Sequence, residues 1–130
     1  MDFTRSIELD ISFDDAIDRV KEALKEQGFG VLTEIDVRQT IKDKLGIAVE
    51  PQIILGACNP QLAHRALEID PRIATLLPCN VVVRTEHGRT IVDALDPNII
   101  AEVPDNPDLA PIAQEAGSRI QAALDELRSA

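Results

Sequence analysis

The chemistry this sequence offers starts from two cysteines, Cys58 and Cys79. A thiolate is a nucleophile, a redox centre and a ligand for soft metals. Cys58 directly precedes Asn59-Pro60, a strong helix start in which Asn caps and Pro suits the first helical position. The positive end of that helix's dipole would favour a thiolate. Free cysteine is also among the most buried residue types, and for Cys58 alone a structural role is the stronger reading. Cys79 lies in Leu77-Pro78-Cys79-Asn80 at the entry to an apolar strand. Pro78 has no N–H to donate, so it marks a strand start, an edge or a bulge.

Other chemistries have thinner support. His64 and His87 are the only histidines, six and eight residues after the respective cysteines. No C-x-x-C, H-x-x-x-H or H-E-x-x-H occurs, so a metal site from Cys58, Cys79 and His64 arises only if the fold assembles it. Gly28-Phe29-Gly30 lacks the third glycine and the preceding strand of a dinucleotide loop, and there is no Walker loop or G-x-S-x-G. The serines have no local base. The carboxylates lie mostly on helix and strand exteriors, where a solvated face explains them.

These residues need elements to position them. Phe3 to Ile11 alternates, with Ile7, Leu9 and Ile11 on one face, and reads as a half-buried strand. Ser12 caps a helix whose apolar residues, from Phe13 to Leu24, recur at helical spacing until Gly28 stops it. Gly30 to Val37 reads as a strand with Val31, Thr33, Ile35 and Val37 on one face, and Gln39 to Leu45 as a short helix ending at Gly46. Gln52 to Cys58 is apolar on both faces and therefore central. A helix from Asn59 to about Ile69 follows, then a strand from Cys79 to Thr85, a turn at His87-Gly88 and a strand from Thr90 to Leu95. After the acidic, proline-rich loop Val103 to Asp108, Ile112 to Leu127 forms the last helix. The order is β-α-β-(α)-β-α-β-β-α, an α+β domain with one sheet and one helical layer.

The 130 residues make a single domain, 1–130, able to bury roughly two-thirds of its unfolded surface. Apolar residues supply 45% and charged residues 28%, a globular balance, while aromatics supply only 2%. The net charge of -10 and the scarcity of stacking rings argue against nucleic acid and anionic membranes as partners. No apolar run reaches the length of a membrane span, and the N-terminus lacks the core of a signal peptide. Two cysteines are too few for a disulfide scaffold, so a reduced, cytoplasmic setting is expected.

The segment from Gly28 to Val83 resembles the domain of unknown function 302 family. The residues that carry the resemblance are Gly28 to Asp36, Lys44-Leu45-Gly46, Ile54-Leu55-Gly56-Ala57-Cys58-Asn59-Pro60, Leu62 to Leu67, and Leu76-Leu77-Pro78-Cys79-Asn80-Val81-Val82-Val83. The resemblance implies a fold similar to that of the TATA-box-binding protein, a curved antiparallel sheet with helices on one face. It also implies a homodimer. It brings no cofactor, substrate or catalytic residue, and the DNA-binding use of the similar fold does not transfer to an acidic chain.

Beneath these motifs, Asn59-Pro60 and Pro78-Cys79-Asn80 fall where the chain leaves and enters the sheet. Convergence of those ends would line one cleft with Cys58, Asn59, Cys79 and Asn80, with Thr33 and Glu34 as further acceptors. The leading expectation is a homodimeric binding module for a small molecule or soft metal ion at that cleft. A structural or protein-interaction module comes second. A thiol-dependent enzyme comes third, because no general base stands near either cysteine in the sequence. The two cysteines are expected to be close in space and unbridged.

Overall fold

The computed structural model describes residues 2–129. Five antiparallel strands form one open sheet in the order β1-β5-β4-β3-β2: β1 (Thr4–Leu9), β2 (Gly30–Asp36), β3 (Gln52–Cys58), β4 (Cys79–Glu86) and β5 (Arg89–Leu95). Helices α1 (Phe13–Glu26), α3 (Pro60–Ile69) and α5 (Ala110–Ser129) supply the apolar cover on one face. The two-layer α+β architecture is the expected one. Two further helices, α2 (Val37–Leu45) and α4 (Ile99–Glu102), and 3₁₀ turns at Pro71–Leu76 and Pro107–Leu109 complete the chain.

Local chemistry accounts for the elements. Ser12 Oγ accepts from the Asp15 N–H at 3.1 Å, and Asp14 and Asp15 put negative charge at the positive end of α1. Ala16, Val20, Ala23 and Leu24 then form its buried stripe, and Gly28 at φ +83° turns the chain out. α2 starts two residues earlier than its pattern predicts because the Asp36 carboxylate takes the cap, accepting from Gln39 N at 2.9 Å. His87 and Gly88 both have positive φ, the requirement of a tight two-residue hairpin, and join β4 to β5.

Strand alternation sorts the sheet into two faces. Leu55, Ala57, Val81, Val83, Val92 and Ala94 turn toward the helices and are buried. Arg5 on β1 also reaches the helical layer: its guanidinium donates to the Gly117 carbonyl at 2.8 Å and pairs with Asp96 at 3.3 Å.

β2 departs from its predicted pattern. A bulge between Val31 and Thr33 leaves Leu32 without a partner on β3, and Leu32 is exposed. The extra residue flips the alternation: Val31, opposite Ala57, packs on the core, while Thr33, opposite Gly56, turns to the outer face. Val31, Thr33 and Ile35 therefore do not share a face, and Val37 belongs to α2.

The interior divides into two apolar clusters. One joins α1, the far half of α5 and the sheet; the other joins α3, Ile73, Cys79, Ile100, Leu109 and the first turns of α5.

Candidate functional site

The pairing of β3 with β4 brings the cysteines together. Ala57 is directly opposite Cys79, so Cys58 is the next residue along the neighbouring strand. Both sulfur-bearing residues line one small cavity of about 30 Å³ at the seam between the two clusters. Cys79 is buried, Cys58 is half-buried, and neither is bridged.

Asn59 borders the cavity at the start of α3. Its Oδ1 accepts from Leu62 N at 3.2 Å and caps α3, as the Asn-Pro pair predicts. A Cβ at Gly28 would stand 3.0 Å from Asn59 Nδ2 and 3.3 Å from the Arg119 guanidinium, so a glycine there lets the first turn approach the cap. The remaining lining is apolar and includes Phe29, Leu62, Leu77, Ile100 and Ile112.

The electrostatics of the pair follow from burial. Desolvation pushes the Cys79 thiol up to about 11, and the nearby Cys58 adds to the shift. Desolvation also raises the Cys58 thiol above its ordinary value. Burial is the cause at both sites, and both groups are neutral thiols near pH 7.

The other sequence candidates sit elsewhere. Asn80, one residue beyond Cys79, is turned by the pleat away from the cavity and is exposed. Thr33 lies over Gly56 on the outer face. Glu34 pairs with Lys21 of α1 at 2.7 Å. His64 is exposed on α3, with Nδ1 3.5 Å from Glu68, and does not line the cavity. Among the described residues no group of three or more His, Cys, Asp or Glu side chains is arranged to hold a metal ion.

The apolar wall was partly foreshadowed. Leu62 and Ala66, and Ile112 and Ala116, recur at helical spacing, but periodicity alone does not say which sulfur they face. Ile100 belongs to a four-residue helix too short to leave a periodic trace.

A larger open hollow of about 610 Å³ lies beside Glu8, Asp10, Ser12 and Arg89. Glu8 and Arg89 neutralise each other there at 3.0 Å, and it contains no thiol. Both cysteines border the small cavity instead.

Among the described residues no helix is long and apolar enough to cross a membrane. No curated protein matches the sequence. The fold is that of the crystal structure of an uncharacterised conserved protein DUF302 from Bacillus stearothermophilus, with a TM-score of 0.91 and 32% identity. The alignment covers 98% of this chain and 99% of that one. The family model described as domain of unknown function DUF302 matches residues 5–127, and the chain belongs to that family.

Proposed function

We propose that the protein is a cytoplasmic, homodimeric binding module whose ligand enters the cavity beside Cys58 and Cys79. The observation that carries this reading is that two unbridged cysteines on neighbouring strands border one apolar cavity. A cavity of about 30 Å³ holds about one water-sized particle, which favours a single soft ion or a very small molecule over a metabolite. A thiol enzyme fits less well, because burial keeps both sulfurs protonated and no acid or base shares their cavity. Native mass spectrometry of freshly purified protein tests the reading by weighing the assembly and anything retained. Bare chains with no retained mass would count against it.

A second copy of the chain is the partner the surface favours. The apolar cover from α1, α3 and α5 lies on the inner sheet face, and Ile35, at 48% exposure, lies on the outer one at the β2 edge. Next to β2, α2 buries none of its residues, and Leu45 and Ile47 are largely exposed. α2 also carries Arg38, Lys42 and Lys44 against the single acid Asp43, which complements an acidic second chain. Sedimentation is expected to show a dimer at micromolar concentration, with Ile35→Lys and Leu45→Lys shifting it to monomer. A wild-type monomer under those conditions would remove the interaction surface from the proposal.

A further inference from the structure

Resting on the second-copy reading above, we propose that each copy's α2 lies across the outer sheet face of its partner, so that the dimer exchanges two identical helix-on-sheet contacts. Seven large apolar residues are exposed among the described residues, and four of them, Leu32, Ile35, Leu45 and Ile47, fall within residues 32–47. That stretch runs from β2 through α2 to just past its Gly46 stop. On the outer sheet face the register sets Ile35 opposite Ile54 and Ile54 opposite Val82, an apolar row across three strands. Ile35 is exposed, and Ile54 and Val82 are half-buried. Beyond Val82 the row turns polar. Asp93 stands opposite Val82, accepts from Ser6 Oγ at 2.6 Å and holds the Arg84 guanidinium at 2.6 Å.

That pattern selects the occupant. Stacking two outer faces directly on each other would press the Arg84–Asp93–Ser6 cluster into the interface beside the apolar row. A helix asks for less. The row spans about 10 Å, two strand spacings, which is the width of one helix. On α2, Val37, Ile41 and Leu45 recur at i, i+4 and i+8, a stripe about 12 Å long. No residue of α2 is buried and none joins either apolar cluster, so its own chain leaves the stripe only partly covered. Charge fits the same seating. Arg38, Lys42 and Lys44 on α2 take part in no ion pair among the described residues, whereas the outer face carries Glu8, Glu86 and Asp93 against Arg84 and Arg89. A basic helix on that face offsets the repulsion between two chains of net charge -10.

The test is complementation between two variants of the intact protein, read by sedimentation and native mass spectrometry. Leu45→Lys damages the α2 stripe and Ile35→Glu the sheet row. Both positions are exposed, and circular dichroism checks that both variants fold. Each alone should self-associate more than about a hundredfold more weakly than wild type, because a two-fold dimer loses the buried side chain twice. In a mixture, the α2 of the Ile35→Glu copy still meets an undamaged sheet on the Leu45→Lys copy, and the other contact pairs opposite charges. The expected result is a dimer of mixed mass, about tenfold or more tighter than either variant's own dimer. Lys42→Glu combined with Lys44→Glu leaves the apolar stripe intact and should also weaken association; unchanged association there overturns the proposal. Variants that are monomeric alone and stay so when mixed overturn the exchange, while the second-copy reading survives as a like-on-like dimer. A wild-type monomer, or a dimer that none of these substitutions weakens, removes both.

Discussion

Replacing Gly56 with alanine is expected to destabilise the protein by about 3 kcal/mol, toward the upper end of overpacking penalties. Gly56 is buried in β3, between β2 and β4, with the Thr33 hydroxyl and the Pro78 ring folded over it on the outer face. A Cβ at this position would fall on Thr33 Oγ1 and stand 2.9 Å from Pro78 Cγ. Pro78 is held by its ring, and Thr33 clears the new methyl only by turning its exposed hydroxyl to another rotamer. Adding Thr33→Ala to Gly56→Ala removes the hydroxyl collision and leaves the Pro78 contact, so part of the loss should return. Urea unfolding midpoints of the wild type and the two variants measure this. An unchanged midpoint for Gly56→Ala would show that the outer face is looser than the packing indicates.

The second large effect is expected at alkaline pH and has its source in Cys79. The folded thiol titrates at about 11 because burial disfavours its thiolate. Unfolded, a cysteine titrates near ~8.5. The folded state is therefore the better proton binder between those values. This stabilisation is fully present below the unfolded pKa and is lost as pH rises toward the folded one, with a total of about 3 kcal/mol. Cys79→Ala should flatten that alkaline decline while adding its own pH-independent packing loss. The same cause protects the sulfur from reagents: iodoacetamide should modify native Cys79 at least about a hundredfold more slowly than the unfolded chain at neutral pH. Half-buried Cys58 should label first. Rapid native labelling of both would show that the cavity wall opens readily, and the structural account of the thiols would fail.

Much of the fold is legible because its signals are local. Ser12 and Asn59 are side-chain caps, Gly28 and Gly46 are left-handed stops, and His87-Gly88 is a hairpin turn, each readable from a few adjacent residues. The two-sided apolar pattern of β3 likewise gives its interior place in the sheet. Elements of three to six residues, such as Pro71–Leu76 and Ile99–Glu102, are too short to establish a period. The bulge at Leu32 has no proline or glycine at its centre to announce it, and strict alternation therefore misassigns the face of Thr33.

The site shows the same division. Cys58, Asn59 and Cys79 lie at strand ends that the turn chemistry marks, and the register of β3 on β4 joins them. Asn80 is adjacent in sequence yet belongs to the other face, because the pleat reverses direction at every residue. The apolar wall comes from segments as distant as Phe29 and Ile112, and no short-range pattern links them.

Dividing the interior into two clusters has a consequence for how the molecule breathes. α3 makes its buried contacts in the smaller cluster, whereas α1 is anchored in the larger one with the sheet. Opening α3 therefore exposes less apolar surface than opening α1, and its amides should exchange with deuterium through a cheaper, sub-global fluctuation. The same fluctuation parts the seam that the two cysteines border. Entry to the cavity would then be set by the free energy of that partial opening, leaving the sheet and α1 intact.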